Sequence, residues 1–219
     1  MKRATIAAVL TTVAAIAASA MAAPKPAEIP AYWQLEIDPD PLRPIQIQVL
    51  GESSPRIFWY LRYTVTNHTG ADQIFVPEFI LYTDTGQVLR AGRKIPPVVF
   101  DEIKKLHNDP LVTALPGMAG KILQGNDNAK SGVAIWPDFD PAAGAFDVFA
   151  GGLSGETAEI RLPTPIRTVE REYGRGEKEI IRTKIILSKT LRLHYGIPGE
   201  AAARLTTPVR LISKSWIMR

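Results

Sequence analysis

Residues 56–67 read RIFWYLRYTVTN, and their alternation decides the fold class. Ile57, Trp59, Leu61, Tyr63 and Val65 fall on one parity, and Phe58, Tyr60, Arg62, Thr64 and Thr66 on the other. Side chains of a strand alternate between two faces, so this segment presents one uninterrupted apolar face. Aromatic and β-branched residues dominate it, as a pleated half-buried surface favours. The reading places Trp59, Leu61, Tyr63 and Val65 against a core, and turns Arg62 and Thr64 away from it. The run Asn67-His68-Thr69-Gly70 then closes the strand as a turn.

Strand patterns continue on both sides. Residues 32–37 and 45–50 alternate well enough to precede the central strand. After it, 74–83 forms a further strand, with Pro77 expected at an edge or bulge. Asp84-Thr85-Gly86 makes a hairpin turn into 87–90. Residues 98–106, VVFDEIKKL, form the one convincing helix, bounded by Pro96-Pro97 and by Asn108-Asp109-Pro110. Its spacing puts Val99, Ile103 and Leu106 on one face with Lys104 and Lys105 outward, and the helix is expected to cover an open end of the strands. Strands resume at 133–136, 146–150, 159–162, 166–173, 177–187 and 208–216. Ile181, Thr183, Ile185, Leu187, Leu191, Leu193 and Tyr195 share one parity, and Lys189 interrupts them. That interruption suggests a bulge or a bend where the strand changes sheets. The 18 prolines argue for short strands and turns rather than long helices. Many short strands and one short helix indicate a β-sandwich, with a barrel as the alternative.

The first residues carry an address. Lys2 and Arg3 precede an uncharged apolar run, residues 5–18, which is short for a bilayer span. Ala20-Met21-Ala22 supplies the small-x-small step of a cleavage site. Residues 1–22 therefore read as a signal peptide, with an uncleaved anchor helix as the competing reading. Residues 23–44 hold six prolines and read as an extended leader, and 45–219 as a single β-sandwich domain with a basic C-terminal hairpin region. Export places the protein in the periplasm or outside the cell. The chain has no cysteine, so neither a lipid-anchoring thiol nor a disulfide is available. Its stability must come from a packed core. Nothing after residue 22 is apolar for long enough to span a membrane, and the cleaved product is expected not to span one.

Charge is unevenly placed. Residues 23–160 carry 11 basic and 17 acidic side chains, and residues 161–219 carry 13 and 5. Either the basic strands lie across the acidic ones, or the surplus forms a surface for an anionic polymer. In the second case Gly174-Arg175-Gly176 turns a hairpin whose Arg167, Arg171, Arg175, Lys178, Arg182 and Lys184 form the main positive surface. Aromatic residues do not interleave with these cations, so nucleic acid is not an expected partner.

One resemblance follows from the stretch 61–87, LRYTVTNHTGADQIFVPEFILYTDTGQ. It resembles the Tyr-x-Val-x-Asn-x-Thr-Gly strand and the following Pro-x-Phe-x-Leu…Asp-x-Gly hairpin of immunoglobulin-like domains in bacterial exported proteins. The later Leu123-Gln124-Gly125 and Gly132-Val133-Ala134-Ile135-Trp136 are similar to another core strand of those domains, with Gln124 where Pro is common. The likeness covers residues 57–153 and leaves the basic C-terminal region unmatched. It implies an all-β, immunoglobulin-like antiparallel β-sandwich with one short helix in an extracytoplasmic setting. It implies no reaction and no site residues.

Chemical motifs are sparse. His68, His107 and His194 are widely separated and make no zinc-ligand pair. Gly152-Leu153-Ser154-Gly155 lacks the spacing of a nucleophile elbow, which makes Ser154 a turn residue. Asp38-Pro39-Asp40, Asp138-Phe139-Asp140 and Asn126-Asp127-Asn128 are oxygen-rich, but Asx-Pro steps are ordinary turn formers and none has a calcium-loop spacing. Among the aromatic residues, core or inter-sheet packing is the default, and Phe58 and Tyr60 are the two left for sugar stacking once Trp59 is placed in the core. No catalytic, metal or cofactor residue is expected. The expectation is a non-enzymatic exported envelope protein that binds or scaffolds, its partner an envelope protein or an anionic polymer. The alternative is a periplasmic or secreted hydrolase whose site is built from distant acids, marked by a pocket with two or more acids near Tyr60 or Glu78.

Overall fold

The computed structural model describes residues 23–172, 176–197 and 204–219. The signal-peptide reading of residues 1–22 and the turn residue Arg175 lie outside them. The architecture is an all-β, antiparallel sandwich with a single short α-helix among the described residues. The first sheet has the order β1 (Glu36–Pro39), β3 (Arg56–Thr66), β9 (Lys130–Pro137), β7 (Thr113–Ala114), and β2 (Arg43–Ile47) shares the β1 edge of β3. All its pairings are antiparallel except the two-residue β7–β9 contact. The second sheet runs β11 (Thr157–Glu172), β12 (Gly176–Gly196), β10 (Ala145–Gly151), β5 (Glu78–Thr83), β6 (Val88–Arg90), with β13 (Arg210–Met218) also on β12. A third, two-stranded sheet joins β4 (Gln73–Phe75) to β8 (Gly120–Ile122).

Strand β3 covers the segment that the alternation marks. Trp59, Leu61, Tyr63 and Val65 are all buried in the main core between the two large sheets, facing Phe79, Leu81, Phe146, Val148, Leu191 and Leu193. Arg62 and Thr64 stay partly exposed on the other face. That other face is not open along its whole length, however. Phe58 and Tyr60 are 0 % and 2 % exposed, in a second core cluster with Val99, Ile103, Val112, Val133 and Ile135. Helix α1 (Pro97–His107) covers it. The helix therefore lies on the outer face of the first sheet rather than over an end of the strands. Phe58 and Tyr60, weighed for sugar stacking against a default of core packing, are core residues. Burying two such side chains stabilises the fold by roughly 1.5–3 kcal/mol each. The helix starts with Pro97 at its first position and ends at Asn108, which adopts the left-handed conformation with φ 46°. Leu106, expected on its buried face, is 64 % exposed. One turn less of contact with the sheet leaves it outside.

Pro77 lies between two strands rather than within one. β4 and β5 belong to different sheets, and the chain crosses between them at Val76-Pro77. Gly152, at φ +82°, packs against that crossing so closely that a Cβ would lie 2.2 Å from the Val76 carbonyl oxygen. Asn67 closes β3 as a turn residue and is fully buried. Its amide nitrogen donates to the Ala71 and Ile122 carbonyls at 2.9 and 2.8 Å, and its oxygen accepts from the Thr69 N–H and hydroxyl at 3.0 and 2.9 Å. Leu35, Ile37 and Leu42, within the proline-rich segment, also enter the main core.

Candidate functional site: a projecting β-arm and a polar pocket

β10 and β11 follow one another along the same edge of β12. β10 pairs with residues 191–196 of β12, and β11 with residues 176–188. β13 pairs with residues 189–196 on the opposite edge. Beyond Ser188, β12 has β11 as its partner and nothing else among the described residues. Residues 157–172 and 176–188 thus form a two-stranded arm that leaves the sandwich. At about 3.3 Å per residue the twelve paired β12 residues reach about 40 Å. None of the described side chains of the arm is buried. The core-facing parity of β12 continues into it: Leu191, Leu193 and Tyr195 are buried, while Ile181 and Ile185 are exposed and Leu187 half-exposed. Ile166 and Ile186 are exposed as well. Lys189, expected at a bend, stands where the straight strand leaves the core. It is 2 % exposed, pairs with Glu156 at 2.8 Å and donates to the Ala27 carbonyl at 3.3 Å. Register breaks lie on either side of it, between His194 and Tyr195 on the β13 side and between Arg161 and Ile166 on the β11 side.

The predicted cationic residues are spread over this arm. Arg167 stands opposite Ile181 and pairs with Glu179 at 3.6 Å. Lys184 stands opposite Arg161 and pairs with Glu159 at 2.7 Å. Arg182 stands opposite Ile166, Arg171 opposite Glu177, and Lys178 opposite Glu170. Arg167 shares the parity of Ile181, whereas Arg182 and Lys184 share the other, so the described cations divide between the two faces. Residues 157–188 hold seven basic and five acidic side chains. Much of the remaining positive surplus meets the acidic strands directly: Lys189 with Glu156, Arg192 with Asp147 at 2.9 Å, and Arg204 with Asp138 at 3.1 Å. The arm is therefore a mixed-charge surface with isoleucines between the charges.

A second feature lies at the far end of the helix-covered face, where the apolar stripe of β3 gives way to Arg62. Tyr60, His107 and Arg62 meet Asp40, Pro41 and Arg43 around a cavity of about 210 Å³. The Tyr60 hydroxyl and His107 Nε2 are hydrogen-bonded at 2.9 Å. Arg62 Nη2 donates to Asp109 Oδ2 at 3.2 Å, and its Nε lies 3.5 Å from Asp40 Oδ2, too far for a hydrogen bond. Burial, with Arg62 and Arg43 adding to it, holds the His107 pKa below its ordinary value. Burial likewise raises that of Tyr60. The sequence named Tyr60 for sugar stacking and as one marker of a two-acid pocket, Arg62 only as a strand residue and His107 only as a poor zinc ligand. The one local signal is an arginine ending an apolar parity. The six lining residues come from β2, β3, α1 and the link after β1, and no spacing in the chain announces that meeting.

The acidic loops are occupied by structural duties. Asp138 accepts from Trp59 Nε1 at 2.8 Å and from Arg204, and Asp140 accepts from the Ala142 N–H at 2.9 Å as a turn former. No group of three or more metal-binding side chains occurs among the described residues. Glu78, considered as half of an acid pair, instead salt-bridges Arg90. Ser154 donates to the Trp33 carbonyl and accepts from the Glu156 N–H, as a turn residue does. No helix among the described residues is long and apolar enough to cross a membrane. Comparison with protein-family models, with curated proteins and with solved structures finds no match.

Proposed function

We propose that the protein is a non-enzymatic, exported binding or scaffolding module of the cell envelope, and that residues 157–188 are its contact element. The observation that carries this is the arm itself. An isolated two-stranded ribbon is marginally stable in water, and an uncovered strand edge is a template for pairing with another chain. This arm keeps apolar residues on both faces and has open backbone edges, which is the equipment for strand addition to a protein partner. Its near balance of charges favours a protein over an anionic polymer. The export signal of residues 1–22 and the resemblance to immunoglobulin-like domains of exported proteins support the envelope setting. The cavity beside Tyr60 is lined by one carboxylate, Asp40, and the hollow beside Glu78 also by one. A distant-acid hydrolase calls for a pair, and this count supports binding over hydrolysis.

Two measurements test the reading. N-terminal sequencing of protein recovered from the envelope or medium should begin at Ala23. A retained Met1 would refute the cleaved-export part. A photo-crosslinking residue at Ile181 or Ile186 should give discrete adducts with envelope proteins that survive about 0.5 M salt, since apolar and backbone contacts are little screened. Adducts arising only from positions on the sandwich, or binding to anionic polymers that salt abolishes, would overturn the assignment of the arm.

A further inference from the structure

We infer that the cavity between β2, β3 and the end of α1 is a binding site for a phosphate- or sulfate-type oxyanion, independent of the arm. Four of its six lining residues carry hydrogen-bond donors. Arg43 and Arg62 supply two guanidinium groups, and Tyr60 and His107 supply a phenol and an imidazole. Guanidinium forks match the oxygen spacing of phosphate and sulfate and bind them by charge-assisted hydrogen bonds. Arg43 has no ion-pair or hydrogen-bond partner among the described residues, and it stands close enough to influence both Tyr60 and His107. The Nε of Arg62 is buried without a hydrogen-bond acceptor. A buried donor left unpaired is costly, and an oxyanion in the cavity would satisfy it.

Two carboxylates are nearby and act differently. Asp109 is not in the lining. It holds Arg62 Nη2 from one side while its other oxygen accepts the Leu111 N–H at 3.0 Å, so it orients the guanidinium rather than occupying the cavity. Asp40 is in the lining, its side chain 52 % exposed and its oxygen 3.5 Å from Arg62 Nε. That carboxylate is a loose counter-ion which an incoming dianion displaces toward solvent. The cavity is below the size range of sites for drug-sized ligands, so it suits a single oxyanion or a terminal head group.

Acidification should strengthen binding. The charged groups facing His107 are Arg43 of β2, Arg62 of β3, Asp40 before β2 and Asp109 after α1. Burial first, and then the two arginines, disfavour its protonation. A bound anion offsets them and favours the imidazolium, so proton and anion uptake are coupled.

The test is calorimetric titration of the full chain with inorganic phosphate, sulfate and acetate. Sulfate carries the pH series, because its charge does not change there. Saturable single-site binding of phosphate and sulfate is expected, with acetate weaker. Arg43→Gln, on an exposed edge-strand position, should lower affinity about tenfold without changing the far-ultraviolet circular dichroism. Asp40→Asn should raise affinity. Sulfate affinity should rise several-fold from about pH 8 to about pH 6, and His107→Gln should flatten that rise. Absence of saturable binding, binding indifferent to Arg43→Gln, or weaker binding in Asp40→Asn would overturn the inference. The arm is untouched in all of these variants, so failure here leaves the proposed function standing, and the reverse also holds.

Discussion

Truncating Trp59 to alanine tests the sandwich at its centre. The indole is fully buried, with its ring centroid 5.1 Å from that of Phe139 and 6.4 Å from that of Phe146. The Arg204 guanidinium lies 5.3 Å from the ring centre, and indole Nε1 donates to Asp138 at 2.8 Å. Removing so large a side chain from a packed interior costs about 3–5 kcal/mol, including the cavity left behind. The hydrogen bond falls within that total rather than adding to it, because Asp138 keeps its pairing with Arg204. Trp59→Phe keeps most of the volume and loses the N–H donor, so it should cost about 1–2 kcal/mol. A domain holds about 5–15 kcal/mol in all, so the alanine variant should lose a large share of its stability. Urea denaturation followed by far-ultraviolet circular dichroism measures both, with the slope m expected to stay constant. A shift for Trp59→Ala worth less than about 1 kcal/mol at unchanged m, or a phenylalanine variant as damaged as the alanine one, would refute the placement.

Three further outcomes follow from the same geometry. Gly152→Ala should destabilise by at least about 1–2 kcal/mol from the left-handed backbone alone, with the Val76 carbonyl adding to it; a neutral result in the same urea assay would contradict the close approach. Glu156 has its pKa lowered first by the hydrogen bond from Lys189 and then by the Ala27 N–H, so its contribution is present above the unfolded carboxyl pKa near 4.5 and is lost as pH falls through the lower folded value. Amide exchange at Ala27 should lose protection in that acid window before the core does, and protection that tracks the core throughout would disprove the link. Replacing residues 162–182 by a short Asn-Gly turn should leave the urea midpoint within about 1 kcal/mol of the parent, since no described side chain of that segment is buried. A collapse of the sandwich in that variant would show the arm to be structural.

The sequence by itself determined the long strands, the helix and the inner face of the central strand, though not the split of residues 74–83 between two sheets. Period-two alternation across residues 56–66 settled which side chains of β3 enter the main core, because a strand has only two faces and one of them was wholly apolar. Pro97 and Asn108 marked the helix ends through backbone constraints that are local to the chain. Asn67, Asp140 and Ser154 acted as turn formers for the same reason. The tertiary structure alone decided what covers the second face of β3. Phe58 and Tyr60 alternate identically whether helix α1 or solvent lies above them, and the helix is some forty residues away in the chain. It alone decided that the apolar parity of β12 runs out of the core at Lys189, because a stripe of leucine and isoleucine reads the same under a sheet and along a free arm. The oxyanion cavity was also beyond the chain's own pattern: Asp40, Arg43, Arg62 and His107 converge only when two strand edges and a helix end are brought together. Local backbone preference and alternation act within a few residues, whereas burial of a face and convergence of charges depend on which elements pack, and long-range contacts determine that.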